Sequence, residues 1–202
     1  MKIVYVVLDE NLRIEELKNA VALLPPERQS KIARYRFEKD KLLSLAAGLL
    51  IRRAIGGSPI IFGEHGKPYA ENGVCFSVSH SGSIAAIAVD AVEVGLDVEQ
   101  IPDESRLKIA DRFYHPGERE YVRKAKDQCR AFCEIWTRKE AMLKMTGEGI
   151  STDLTAFDTL SSPFSDQLYT CGWEGYCLSV CSAEPLGEKR IEISKLELND
   201  LL

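Results

Sequence analysis

The order of secondary-structure signals runs through this chain twice, and that doubling limits the fold more than any single motif does. After a first strand in MKIVYVVLDE, at about residues 2–8, Pro25 and Pro26 open a helical region and Gly56 and Gly57 close it. Within it, Leu42, Leu45, Ala46, Leu49, Leu50 and Arg53 keep the 3.6-residue period of an amphipathic helix lying on a sheet. A loop, GEHGKPYAENG, leads into three short strands, VCFSVSHSG, SIAAIAVD and VEVGLDVE. After QIPDESR the elements start again, with a helix near 106–112, HPGEREYVRKAK, a helix over about 129–146, and strands near 156–158, 167–171, 175–182 and 190–196. A shift of 91 residues sets Glu27–Arg28 on Glu118–Arg119, Gly56 on Gly147, and AAIAVDA (85–91) on YCLSVCS (176–182). The expectation is an α+β fold of two similar halves, 1–101 and 102–202, with pseudo-twofold symmetry. Such halves meet in an interface cleft, a preferred place for a ligand.

The 202 residues, 45% hydrophobic and 28% charged, suffice for a core. A formal charge of −5 argues against a sequence-independent grip on nucleic acid, yet the local cluster Arg28, Lys31, Arg34 and Arg36 can hold a small polyanion. The amino terminus is too short in apolar residues for a signal segment or a membrane span. Six cysteines without a CxxC pair, beside only three histidines, show no zinc-ligand spacing, and a reduced cytoplasmic chain follows.

Two motifs carry chemistry. In VGLDVEQ, Asp97 and Glu99 share one face of a strand while Val94, Leu96 and Val98 take the other, directed at the core. By itself that is the pattern of any strand with one solvated side. In WTRKEAMLK, Trp136, Glu140 and Lys144 lie four apart along one helical stripe, and Glu before Lys at that spacing is also an ordinary surface ion pair. Together they say more, because carboxylates suit Mg²⁺, which binds substrate phosphate, and a Lys neutralises charge on the same phosphate. Ser79 and His80 in SVSHSG point to opposite faces of their strand, which disfavours a Ser–His nucleophile pair and leaves both as donors to phosphate oxygens. Lys67 stands on a loop stiffened by Pro68.

The order GKPY, FSVSHSG, VGLDVE, WTRKEAMLK resembles that of the 4′-phosphopantetheinyl transferases, specifically the two-half, surfactin-synthetase-activating type, over nearly the full chain. The resemblance implies transfer of the phosphopantetheine arm of coenzyme A to a Ser hydroxyl of an apo acyl or peptidyl carrier protein, releasing adenosine 3′,5′-bisphosphate. It implies that Asp97, Glu99 and Glu140 hold Mg²⁺, or Mn²⁺ in its place, against the pyrophosphate, and that Lys144 touches a pyrophosphate oxygen. Arg28, Lys31, Ser44 and His80 match positions around the 3′-phosphate and ribose; Lys67, Pro68 and Ser79 match contacts to the adenine end and phosphates. Glu140, acting directly or through a water, is the candidate base. One departure is Leu43, where many members carry a basic residue; Lys41, on the same helix face as Ser44, stands in for it. The basic residues Arg119, Arg123, Lys124 and Lys126 are the expected docking site for an acidic carrier. Expected partners are thus coenzyme A and a carrier protein, with no nucleic acid, no membrane, and a monomeric enzyme. A Mg²⁺-dependent nucleotide pyrophosphohydrolase and a non-catalytic carrier-binding module are the alternatives.

Overall fold

The computed structural model describes residues 1–149, 153–173 and 175–202. The first half begins with β1 (Lys2–Val7), then α1 (Lys18–Ala22), α2 (Pro26–Arg34) and α3 (Glu38–Ile55). Pro26 fills the first turn of α2, where a missing N–H costs nothing, and Gly56 ends α3 at φ 61°, a left-handed conformation that glycine adopts without strain. The helical region breaks where Tyr35 and Phe37 take extended backbone. The stretch expected to be loop instead contains β3 (Pro68–Ala70), which pairs in a hairpin with β2 (Ile60–Phe62) just before it. Next come β4 (Cys75–Ser81), β5 (Ile84–Asp90) and β6 (Val94–Gln100).

The second round comprises α4 (Ala110–Phe113), α5 (Pro116–Lys124), α6 (Gln128–Thr146), β7 (Leu168–Trp173), β8 (Tyr176–Ser182) and β9 (Glu192–Leu196). Most of the helix expected near 106–112 is a 3₁₀ segment, Glu104–Ile109, that runs into α4. The strand expected near 156–158 does not form. Asp153 accepts from the backbone N–H and hydroxyl of Thr155, which winds Leu154–Ala156 into a 3₁₀ turn.

Strand pairing makes the doubling explicit. One sheet has the order β4-β5-β1-β9 and the other β6-β8-β7. In both, the first strand of the unit pairs antiparallel with the last strand of the following α/β stretch, β1 with β5 and β6 with β8. β6 therefore holds the place in its sheet that β1 holds in the other, and the topological unit turns over between β5 and β6, ahead of residue 101. β9 returns from the second half to lie parallel to β1.

The layers stack as helix, sheet, sheet, helix. On one face of the first sheet, Val6, Ala85 and Ile87 pack against Leu45, Leu49 and Leu50 of α3. On its other face, Ile3, Ile84, Ala86 and Ala88 meet Val94, Leu96, Val98, Leu178 and Val180 of the second sheet. The halves thus share an apolar core, each fully buried Leu or Ile contributing about 1.5–3 kcal/mol. Behind the second sheet, α6 sets Ala141 and Met142 against Leu168 and Cys181. Gly95 permits this closeness: a Cβ there would lie 1.9 Å from the Ala141 carbonyl oxygen and 2.4 Å from the Met145 nitrogen. No side chain larger than hydrogen fits between β6 and α6.

Candidate active site

The serines of FSVSHS stitch the two halves together. Ser77, Ser79 and Ser81 alternate along β4 and reach across to β6, whose backbone β4 does not pair with. Ser77 Oγ accepts from the Leu96 N–H at 2.9 Å; Ser79 Oγ donates to Asp97 Oδ1 at 2.9 Å; Ser81 Oγ donates to Glu99 Oε2 at 2.6 Å and accepts from the Gln100 N–H at 3.2 Å. The face of β6 that carries Asp97 and Glu99 is therefore not a solvated side. Asp97 is only 3% exposed.

From α6, Lys144 Nζ reaches Asp97 Oδ1 at 2.7 Å and Ser79 Oγ at 3.0 Å. Asp97 Oδ2 is buried with no hydrogen-bond partner. Glu99 and Glu140 both have carboxyl pKa values raised, first by desolvation; among the other causes, the Asp97 charge raises both and Lys144 opposes it. Glu140, Leu143, Lys144 and Gly147 line one wall of a cleft of about 240 Å³, and His65, Lys67, Pro68, Phe76, Ser77 and Val78 line the other. The two walls come from different halves, as the doubling implied.

Hard oxygen donors around an orphaned, buried carboxylate oxygen suit a divalent ion such as Mg²⁺, which is held by one or two carboxylates together with substrate phosphate and water. The three acids approach without closing up: among the described residues, no group of three or more His, Cys, Asp or Glu side chains is gathered into a metal site.

Other expected residues fall into three places. Arg28 and Lys31 on α2 line a second, larger pocket of about 810 Å³, together with Arg52 and the apolar Leu24, Ile51 and Ile60. His80 is exposed on the face of β4 opposite to Ser79; its pKa is lowered, chiefly by desolvation, then by Lys144, with Lys31 and Arg28 adding. Ser44 is buried in α3, its Oγ without a partner. Leu43 is a buried member of the core, and Lys41 is paired with Glu38 at 3.5 Å.

Lys67 is far from the free loop lysine that its sequence context suggests. Its Nζ donates to Glu93 and, at 2.6 Å, to the Met145 carbonyl at the carboxyl end of α6, and lies 5.3 Å from the Tyr69 ring centroid. It closes the cleft by binding one half to the other. Reading by motif gave no role to Gly95, Ser77 or Ser81, although the glycine stands inside VGLDVE and the serines show a two-residue period. It also missed a buried chain in which Thr137 Oγ1 and Thr170 Oγ1 meet Ser179 Oγ at 2.8 and 2.9 Å, bracing α6 on β8 and β7.

Residues 93–183 match the family model of the 4′-phosphopantetheinyl transferase superfamily, and residues 13–92 match that of the 4′-phosphopantetheinyl transferase N-terminal region. A Bacillus subtilis 4′-phosphopantetheinyl transferase is 31% identical over 92% of this chain and 93% of its own. A Bacillus pumilus 4′-phosphopantetheinyl transferase is 32% identical over 94% and 91%, and one from Aneurinibacillus migulanus 30% identical over 87% and 82%. The chain belongs to the 4′-phosphopantetheinyl transferase superfamily, as an enzyme of the two-half arrangement.

Proposed function

We propose that this enzyme transfers the 4′-phosphopantetheine arm of coenzyme A to a Ser hydroxyl of an apo acyl or peptidyl carrier protein, with Mg²⁺ held at Asp97, Glu99 and Glu140. The observation that carries the reading is the Asp97 centre: a buried carboxylate with one orphaned oxygen, ion-paired to Lys144, which together with Glu140 lines the cleft between the halves. Mg²⁺ would supply charge neutralisation on the pyrophosphate. The carrier hydroxyl attacks the β-phosphorus and its proton passes to Glu140. The phosphorus–oxygen bond to the α-phosphate breaks, and adenosine 3′,5′-bisphosphate leaves. Because a carboxylate engaged on Mg²⁺ is a weak base, Glu140 takes the proton directly or through a water, and Lys144 would meet the charge that develops on the leaving phosphate. The reaction belongs to the cytoplasm, carried out by a monomer; no helix among the described residues is long and apolar enough to cross a membrane.

Mass spectrometry after incubation with coenzyme A and Mg²⁺, with and without apo-carrier, tests this. A mass gain on the carrier Ser is expected. Cleavage of coenzyme A without carrier would favour a pyrophosphohydrolase, and no reaction at all a binding module.

Arg28, Lys31 and His80 are proposed to hold the 3′-phosphate. Dephospho-coenzyme A should then remain a substrate with KM raised roughly 5- to 150-fold, for a net loss of about 1–3 kcal/mol in charge-assisted hydrogen bonds. That penalty should shrink in the Arg28→Ala/Lys31→Ala double variant. Equal discrimination by both proteins would leave the two cations as solvated surface charge.

The carrier is proposed to dock on α5 and the chain after it. Arg123 and Lys124 are about three-quarters exposed and share a single counter-charge, Glu120, so the patch formed with Arg119 and Lys126 keeps a net positive charge. Reversing Arg123 and Lys124 to Glu should raise KM for carrier several-fold, more at low salt, with coenzyme A unaffected. An unchanged carrier KM places the docking surface elsewhere.

A further inference from the structure

Among the described residues, one side-chain ion pair has both members at 0% exposure, and it lies outside the cleft. Lys139, the residue before Glu140, and Glu118 on α5 are both 0% exposed, with Lys139 Nζ 2.8 Å from Glu118 Oε2. Lys139 Nζ also donates to the carbonyls of Leu154 at 2.7 Å and Phe157 at 3.0 Å, and stands 4.1 Å from the Phe157 ring centroid. Glu118 Oε2 accepts from the His115 N–H at 2.9 Å, closing the capping box of α5. Its Oε1 accepts from the Thr159 N–H at 2.8 Å and hydroxyl at 2.7 Å. Arg138 donates to the Thr159 carbonyl from the neighbouring position of α6. Three pieces of chain, α5, α6 and the segment 153–159, are thereby locked to one another by charged groups away from water.

The first half provides an internal control. Counted back from the capping glycines Gly56 and Gly147, the place of Lys139 in α6 is taken in α3 by Gly48. Counted from the prolines that open α2 and α5, a shift of 90 residues and not the 91 that set Glu27 on Glu118 in the sequence, the place of Glu118 is taken by Arg28, whose Cγ would lie 3.4 Å from a Cβ on Gly48. There the crossing is made by contact alone, since a Cβ on Gly48 would already lie 2.8 Å from Leu24 Cδ1. The same helix pair therefore forms without an ion pair. A buried pair gives no assured stability over apolar side chains of its size, so its occurrence in only one of the two halves asks for another cause. The half that has it is the one whose long helix carries Glu140 and Lys144.

We propose that Lys139, with Glu118, is a positioning residue for phosphopantetheine transfer, fixing the rotation and height of α6 so that Glu140 and Lys144 face Asp97. The proposal rests on the transfer reaction put forward above. Lys139 and Glu140 are consecutive on a helix and so about 100° apart around its axis. Any rotation that draws Lys139 from the Leu154 and Phe157 carbonyls also swings Glu140 and Lys144 in the cleft. The bond between Lys144 and Asp97, at 2.7 Å, tolerates little of that motion.

The test compares wild type with Glu118→Gln/Lys139→Met, which removes both charges, leaves no unpaired ion and keeps an acceptor for Thr159. Circular dichroism and thermal melting define a temperature at which both proteins are fully folded, and steady-state kinetics with coenzyme A and apo-carrier follow at that temperature. The expected result is kcat lowered on the order of 10- to 100-fold with KM for coenzyme A within roughly threefold of wild type, because alignment is lost while the binding groups remain. Wild-type kcat in the folded double variant overturns the proposal and leaves the pair as a device of folding. Should the double variant not fold, Thr159→Val, which keeps both charges and deletes one hydroxyl donor to Glu118, is read on the same axes: a lower kcat at unchanged KM supports positioning, and an unchanged kcat overturns it. Absence of transfer by wild type would instead strike the parent reading, and the two failures are distinct.

Discussion

Asp97→Ala should lower kcat/KM for carrier modification by on the order of 10³-fold, since charge stabilisation at a metal-assisted phosphoryl centre supplies several kcal/mol and each tenfold step is worth about 1.4 kcal/mol. The loss has three parts that the geometry makes inseparable. The orphaned Oδ2 goes, Lys144 loses its partner at 2.7 Å, and the Ser79 hydroxyl loses its acceptor. Stability should change little, by about 1 kcal/mol or less, because a carboxylate that is desolvated yet only half satisfied costs nearly what its hydrogen bonds return. Steady-state kinetics at ordinary Mg²⁺, paired with a thermal melt, check both. Asp97→Asn keeps the shape and removes the charge, so near-wild-type turnover by either variant would refute the metal assignment. A large fall in Tm with turnover per folded molecule intact would make Asp97 a structural link between β4, β6 and α6.

Glu118→Ala should lower stability by about 3–5 kcal/mol, the cost of leaving one member of a buried pair without the other. At roughly 2–4 °C per kcal/mol for a chain of this size, Tm should fall by roughly 6–20 °C. Thr159 loses both side-chain acceptor contacts at the same time. The loss should depend on pH with a definite sign. The Lys139 pKa is already lowered, chiefly by desolvation, and two Glu118 interactions hold it up. Removing them lowers it further, so between the folded pKa and the ordinary lysine value the unfolded chain binds more protons than the native one. Stability of the variant then rises with pH in that window. Melts from about pH 7 to 9.5, taken across the approach to the ordinary lysine pKa, should show the gap to wild type narrowing. A gap that stays constant or widens would mean that Lys139 keeps its charge through another partner, and a Tm within about 2 °C of wild type would dismiss the pair as a stabilising contact.

Several local features are legible in the sequence alone. Pro26 and Gly56 bracket the helical region because each imposes a backbone constraint on its own, without reference to distant residues. The alternation in β4 put Ser79 and His80 on opposite faces, and the structure finds one buried against Asp97 and the other exposed. The doubled order of elements announced two related sheets. What it hid was the seam, since helix and strand periods repeat without marking which strand opens a unit. Only the pairing of β6 with β8, matching β1 with β5, shows where the second unit begins.

The sequence by itself determined where the main helices open and close, the side of β6 that each residue takes, and, through GKPY, FSVSHSG, VGLDVE and WTRKEAMLK in order, the family. Tertiary structure decided what covers each side. Strand period says that Asp97 and Glu99 point away from Val94, Leu96 and Val98, but whether that direction holds water or protein depends on β4 and α6, which start roughly twenty residues before and thirty after. Covered by serines and Lys144, the carboxylate is desolvated and gains an orphaned oxygen; on a solvated strand it would be idle. The same holds for Lys67, drawn by Glu93 and the end of α6 out of an apparently free loop, and for Lys139, a helix lysine by pattern and a fully buried cation in fact. Periodicity is a property of the chain against itself, whereas burial and charge pairing are set by whichever distant segment packs there, and it is burial that turns ordinary acids and lysines into a reactive site.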